Sequence, residues 1–340
     1  MNITIMDIAR AANVAKSTVS KVLNDSPKIS AETKTRVRQI MKDMNYTPSS
    51  MATRLAKQKT YNIGLLIDMS QEQAYLNPFF YNIMVGIESA IGPRNYDLTV
   101  VNIQTGDAQE ERHYLKRLVM SKRIDGLITN NSILTPEDAE KLEQLAFPYV
   151  SMGEYAGTSV SWVDFDNETG GRMLTEHLLS QSYTKIAFIG GVQGERLFSK
   201  RYQGYAEQLR AAGLPLREDW EARGIADEKL GYLEVKRLLE LNEPPDSLIC
   251  MNNQVALGAL KAAKEIGMQV PDGLGIATFD DEPYSAHISP PLTSLYINTF
   301  ELGAHAGQMV TDRIEQPELR HQGLLLQPEI IVRESTTRRI

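Results

Sequence analysis

Two hydrophobic rhythms divide this chain. Between residues 4 and 44, apolar positions recur at helical spacing in three short runs. Ile5, Ile8, Ala9 and Ala12 make the first, with Thr4 placed to cap it and Asp7 three residues on as the capping-box partner. A break at Asn13–Val14 leads into a second run from about Lys16 to Asn24, whose Val19, Val22 and Leu23 face inward. Asp25-Ser26-Pro27 stops it. Ser30 caps a third run to about Met44, with Val37, Ile40, Met41 and Met44 as its stripe. Tyr46-Thr47-Pro48 ends the unit, and the polar, basic stretch 49–59 reads as a linker that becomes helical only in context.

From Tyr61 the rhythm changes. Apolar strands such as YNIGLLI, YDLTVV, IDGLI and PYVSM alternate with helices near 79–92, 108–121 and 136–145. A second series follows: KIAFIG, SLICM and LGIATF, with helices near 168–181, 200–212, 228–241 and 254–267. This alternation predicts parallel sheets covered by helices, and it occurs twice. The expected fold class is therefore α/β: a three-helix head, then two doubly wound lobes with a cleft between them. The expected boundaries are 1–48 for the head, 49–60 for a hinge and 61–340 for the body. Its first lobe takes about 61–163 and 295–325, its second about 164–294 and 326–340.

Composition narrows the function. At 340 residues the chain is too long for one ordinary core, and 42% hydrophobic with 23% charged residues is typical of a globular protein. No apolar run approaches bilayer length and the start lacks a signal-peptide pattern, so neither a membrane partner nor secretion is expected. Cys250 is the only cysteine and sits in an apolar run; an intrachain disulfide is impossible, which suits a reducing cytoplasm. The net charge of −7 argues against nucleic acid until it is divided. Residues 1–60 hold eleven Lys/Arg against four Asp/Glu, a net of +7, which leaves −14 for the remainder. A basic head on an acidic body is what phosphate binding by one end requires.

The two short helices around Asn13 have the spacing of a helix-turn-helix, whose second helix is sized for the major groove. Lys16, Ser17 and Lys21 stand at its start and one turn on, where side chains reach base edges. Thr18 and Ser20 are short hydroxyls suited to phosphate oxygens. Three-helix cores of this size also occur in proteins that never bind DNA.

The residues decide the matter by resemblance. Asp7, Ile8, Ala9, Ala12, Val14, Thr18, Val19, Ser20, Val22 and Asn24, then Ser30, Thr33, Val37, Asn45, Tyr46 and Pro48, follow the head pattern of the lactose-repressor (LacI/GalR) family. The likeness continues through IGLLI at 63–67, NPFF at 77–80, DNETGG at 166–171, KIAFIGG at 185–191, RYQGY at 201–205, NNQVALGAL at 252–260, FDD at 279–281 and PPLTS at 290–294. The chain is thereby identified as resembling that family across nearly its whole length, with DSPKIS and DNETGG resembling its maltose-responsive branch. Three departures stand in the head. Asn13 replaces the usual turn glycine and tolerates a left-handed backbone, Ala15 removes a helix cap, and Lys21 replaces an arginine fork with a point donor.

The resemblance implies a transcription regulator, in the commoner case a repressor, acting as a homodimer on a pseudo-palindromic double-stranded operator and responding to a small-molecule effector such as a sugar. Residue by residue, it carries phosphate contacts onto Thr4, Thr18, Ser20, Asn24, Lys28 and Tyr46. It carries a minor-groove hinge onto Ala52, Leu55 and Ala56, with Leu55 as the wedge. It carries effector contacts onto Phe79 and Phe80 in the first lobe and Arg201, Asn252 and Asp280 in the second, a set of donors, acceptors and aromatic faces suited to a sugar. Asn252-Asn253 stands where an Asn-Asp pair is frequent, Ala226 where a stacking aromatic is often found, and Gly153-Glu154 where many members hold an acidic residue. A solute-binding or sugar-modifying protein without DNA regulation is the alternative.

Catalytic chemistry finds no footing. Gly190-Gly191 with Gly194 lacks the spacing of a dinucleotide or phosphate loop. Asp280-Asp281 read as strand neighbours point to opposite faces and make no acid–base couple. The five histidines show no metal-ligand spacing and there is no nucleophile elbow, so neither cofactor nor metal is expected.

Overall fold

The computed structural model describes residues 3–23, 25–46, 59–68, 78–103, 114–155 and 160–338. The chain divides into two compact units, Met1–Tyr61 and Asn62–Ile340.

The first unit packs α1 (Ile5–Ala11), α2 (Lys16–Leu23) and α3 (Ala31–Asp43) around Ile8, Ala12, Val19, Val22, Val37 and Met41, all buried. The ends of these helices follow from local chemistry. The Asp7 carboxylate reaches back to the Thr4 N–H at 3.0 Å and its hydroxyl at 2.7 Å, and those bonds hold its pKa below the usual carboxylate value. Ser30 accepts from the Thr33 N–H at 3.3 Å. Between α1 and α2 the chain turns through Asn13 at φ 51°, the left-handed region that asparagine enters most readily after glycine. With alanine at position 15, α2 starts without a side-chain cap, and the Ala15 carbonyl takes the Thr18 and Val19 N–H groups instead. Asp25, also left-handed, receives Lys34 at 3.1 Å and Arg38 at 2.7 Å and so ties the exit of α2 to α3.

The second unit contains two six-stranded sheets. Sheet one runs β11-β5-β4-β3-β1-β2: Gly323–Leu326, Ser161–Phe165, Tyr149–Met152, Gly126–Asn130, Asn62–Ile67 and Asp97–Asn102. Sheet two runs β12-β10-β9-β8-β6-β7: Glu329–Ile331, Thr293–Tyr296, Gly275–Phe279, Ser247–Cys250, Ile186–Ile189 and Glu221–Ala222. Every pairing is parallel except β10 with β12. Parallel strands buried on both faces read as the continuous apolar runs seen in the sequence. The chain crosses between sheets after β5, after β10 and after β11. These three crossings are short, which is the connectivity of two lobes on a hinge.

Helices α4 (Pro78–Ile91), α5 (Pro136–Gln144) and α10 (Thr299–Glu315) accompany sheet one. Helices α6 (Asn167–Ser180), α7 (Arg196–Ala211), α8 (Glu228–Leu239) and α9 (Asn253–Glu265) accompany sheet two. The segment Leu115–Met120, read from the sequence as part of an α-helix, is a π-helix. Helices α6 and α7 approach closely through glycines on both. A Cβ on Gly171 would lie 2.2 Å from the Arg201 carbonyl oxygen, and one on Gly204 1.9 Å from that of Glu168. That contact seats Arg201 against the start of α6.

Candidate functional site

Helix α2 buries Val19 and Val22, which leaves Lys16, Ser17 and Lys21 exposed on its other side. Among the described residues, neither Lys16 nor Lys21 has an acidic partner. Thr18 and Ser20 are half-buried beside them. Lys28 is exposed in the turn before α3. Thr4 is exposed, but its hydroxyl is already donated to Asp7. Tyr46 packs half-buried against the three-helix core, with its N–H on the Met41 carbonyl at 2.8 Å. Lys16 and Lys21 therefore stand as exposed cationic donors on a helix of groove-filling size. Asn24, Ala52, Leu55 and Ala56 lie outside the described residues.

In the second unit a cavity of about 280 Å³ opens at the carboxyl ends of the sheet-two strands. Its walls are Gly191 and Val192 after β6, Glu195, Leu197 and Arg201 at the start of α7, Ile225 and Ala226 before α8, Met251 and Asn252 after β8, and Asp280 after β9. The strand ends of open parallel sheets are where the backbone leaves room for a ligand.

Three of the expected effector residues meet here. Arg201 is only 5% exposed and is held on all sides: its Nε donates to Asn167 Oδ1 at 2.9 Å, one terminal nitrogen to the Met251 carbonyl at 2.6 Å, the other to Asp280 Oδ1 at 3.1 Å. Its guanidinium also lies 4.3 Å from the centre of the Phe279 ring. Asn252 caps α9, accepting from the Val255 N–H at 3.0 Å and donating to the Ala226 carbonyl at 2.8 Å. Arg201 and Asn252 thus spend most of their hydrogen-bonding capacity inside the protein.

Asp280 corrects a detail of the sequence reading. Strand β9 ends at Phe279, and Asp280 adopts a left-handed backbone at φ 65°. Asp280 and Asp281 diverge because of that turn, not through strand alternation. One meets Arg201; the other forms a two-pronged pair with Arg333 at 2.6 and 2.9 Å. Glu282 follows with no cation paired to it among the described residues, and burial, with Asp280 and Asp281 as neighbours, pushes its pKa up to about 7.

Phe79 and Phe80 do not line this cavity. They stand at the start of α4 in the other lobe, packed edge to face with ring centres 5.6 Å apart. Among the described residues the cavity wall comes from the second lobe alone. Sequence reasoning passed over Glu195, Leu197 and Ile225, since an exposed acid at a helix start reads as a solvated cap and isolated apolar residues as surface. The weak glycine loop was the available signal. Gly190, Gly191 and Gly194 all have positive φ, and a Cβ on Gly191 would sit 2.3 Å from the Phe198 ring, so these glycines let the cavity loop turn tightly against the core. Among the described residues no cluster of His, Cys, Asp or Glu could hold a metal, and no helix is long and apolar enough to cross a membrane.

Comparison with known proteins agrees with this geometry. Residues 4–49 match the bacterial regulatory proteins of the lacI family, and residues 175–336 match a periplasmic binding protein-like domain. The HTH-type transcriptional repressor PurR of Aliivibrio salmonicida (strain LFI1238) is 30% identical over 335 residues, which is 98% of both chains. A solved complex of the transcriptional regulator CelR with cellobiose is 27% identical, has a TM-score of 0.74, and covers 98% of this chain and 99% of that one. The lac repressor dimer bound to operator and the anti-inducer ONPF, at 23% identity, shares the fold with a TM-score of 0.84 over 99% of this chain and 100% of that one. A helix-turn-helix head with exposed cationic donors, joined in sequence to a two-lobed effector domain, belongs to the lacI family of bacterial transcription regulators, DNA-binding repressors rather than enzymes.

Proposed function

We propose that this repressor's operator affinity is set by a small neutral carbohydrate held at the second-lobe cavity. The observation that carries this reading is the cavity's mixed lining: Asp280, Asn252 and Glu195 are polar, and Ile225, Leu197 and Met251 are apolar. A pyranose presents hydroxyls around its rim and an apolar face, and needs both. Arg201 already faces Asp280, so it offers little uncompensated charge to an anion. The regulator solved with cellobiose, alike over nearly its whole chain, supports a sugar, and the resemblance of DSPKIS and DNETGG to a maltose-responsive branch adds maltose to those worth trying first.

In this reading Lys16, Ser17 and Lys21 reach base edges, while Thr4, Thr18, Ser20, Asn24, Lys28 and Tyr46 contact phosphates. Ala52, Leu55 and Ala56 supply the minor-groove hinge. A homodimer matches a pseudo-palindromic operator, because one head covers one half-site. The protein works in the cytoplasm, where the operator is. Effector binding rearranges the two lobes, and a coupling of about 1–3 kcal/mol changes operator affinity 5–150-fold.

The test is a thermal-shift screen of neutral sugars, beginning with maltose and cellobiose, beside phosphorylated sugars and nucleobases, followed by operator binding with each hit. A ligand that binds only the folded protein raises its melting point. A hit among the neutral sugars that also changes operator affinity is the expected result. Hits confined to nucleobases or sugar phosphates overturn the carbohydrate reading and leave the repressor assignment standing.

A further inference from the structure

The lobes of the second unit are joined by a contact outside the effector cavity. Glu154 follows β4 in the first lobe; Arg196 and Lys200 lie on α7 in the second. Arg196 Nη2 stands 2.5 Å from Glu154 Oε1; Lys200 Nζ lies 3.6 Å from Oε2 and is shared with Glu168 of its own lobe at 3.5 Å. Spaced i and i+4, the two cations share one face of α7, so a single carboxylate reaches both.

The carboxylate is held in place beforehand. The Glu154 N–H donates to Asp164 Oδ2 at 2.8 Å, and its carbonyl accepts from Asn131 Nδ2 at 3.3 Å. Gly153, at φ 95°, brings the chain so near Asn131 that a Cβ there would lie 2.6 Å from its side chain. Residues from the ends of β3 and β5 therefore fix the backbone that presents the charge. An ordinary surface pair loses most of its worth to side-chain freedom and solvent. Here the acid is mounted on a rigid turn and its side chain is only 23% exposed.

A second feature limits the contact. Arg196 Nε is enclosed and has no acceptor among the described residues. That orphan donor opposes the gain from the pair.

We propose that Glu154 is an electrostatic latch that holds the lobes together before effector arrives, through Arg196 and with Lys200 as its second cation. Because Arg201 and Glu195 lie on or beside the same helix, latching also sets the spacing between the second-lobe cavity and the first lobe. The latch therefore fixes the fraction of protein in the arrangement that binds effector, and with it the apparent affinity. This inference concerns the lobes alone and stands whichever small molecule the cavity takes.

The test measures the distance between lobes in the full-length, effector-free protein. Cys250 is buried, so spin labels introduced through Lys141→Cys in the first lobe and Lys229→Cys in the second react without interference. Labelled chain is diluted with unlabelled chain, so that each pair reports within one protomer. At low salt, where the pair is screened least, the wild type gives one dominant distance. Glu154→Gln and Arg196→Gln each raise a longer-distance population about fivefold at low salt, and the double variant adds nothing further. Wild-type distributions in both single variants overturn the latch. If one variant fails to fold, a wild-type distribution in the other still overturns it.

Discussion

Arg201 and Asp280 meet at 3.1 Å on the wall of the second-lobe cavity, one from the first half of α7 and the other from the left-handed turn that ends β9. Their pairing offsets the arginine's charge on that wall and also joins two elements of the lobe. Removing either partner therefore tests structure and binding together.

Arg201→Ala is expected to cost about 3 kcal/mol of stability, because it strands a half-buried carboxylate and leaves Asn167 and the Met251 carbonyl without their donor. The effector response should vanish with it, while the DNA-binding head, folded around its own core, keeps its operator contacts. Denaturant unfolding and operator binding on the same preparation check both parts. Unchanged stability would show that the arginine is not the brace its three hydrogen bonds describe.

In the head two kinds of lysine should separate, one on α2 and one in the turn before α3. Lys16→Ala is expected to change which base is preferred at one operator position, by about 1–3 kcal/mol of discrimination. Lys28→Ala should weaken all sequences alike and flatten the salt dependence by about one unit of slope. Binding to a panel of operator variants at several salt concentrations distinguishes them. Equal losses from both changes across the panel would place Lys16 on the phosphates as well.

How far the sequence reached depends on whether each feature is local. The head was legible because periodicity, caps and turn residues all lie within a few positions of one another: Thr4 with Asp7, Ser30 with Thr33, Asn13 alone in its turn. The alternation of strands and helices was legible for the same reason. The π-helical stretch at Leu115–Met120 was not, since a wider helical turn leaves an apolar spacing that an ordinary helix also explains. In the cavity, Arg201, Asn252 and Asp280 were found as residues. That Arg201 faces inward to Asn167, that Asn252 is a helix cap and that Asp280 sits past its strand are long-range facts. Glu154 could be placed only near the cleft, because its partners are about forty residues away in sequence and lie in the other lobe.

Asn13 offers a test of the turn. Its φ of 51° suits asparagine or glycine, so Asn13→Gly should leave stability within about 0.5 kcal/mol. Asn13→Val places a β-branched side chain in the left-handed region and should cost about 1–2 kcal/mol. Thermal unfolding of the head, followed by helical circular dichroism, measures both. A tolerated valine would mean that the turn relaxes to another conformation.

Glu282 gives a pH dependence whose sign can be worked out. Its folded pKa, near 7, lies above the ordinary glutamate value of 4.5 because burial and the neighbouring Asp280 and Asp281 disfavour the charged form. Below pH 4.5 the group is protonated in both folded and unfolded chains and contributes no difference. Between 4.5 and 7 the unfolded chain releases the proton while the folded one retains it, so stability falls as pH rises, and the full penalty is present above 7. The residue is half-buried, and solvent screening reduces the penalty to about 1 kcal/mol. Glu282→Gln should therefore be more stable than the wild type by that amount at pH 8 and equal to it near pH 4.5. Denaturant unfolding of both proteins at the two pH values makes the comparison. A glutamine variant less stable at pH 8 would mean that the carboxylate has a favourable partner there, and that the acidic run at 280–282 carries its charge without strain.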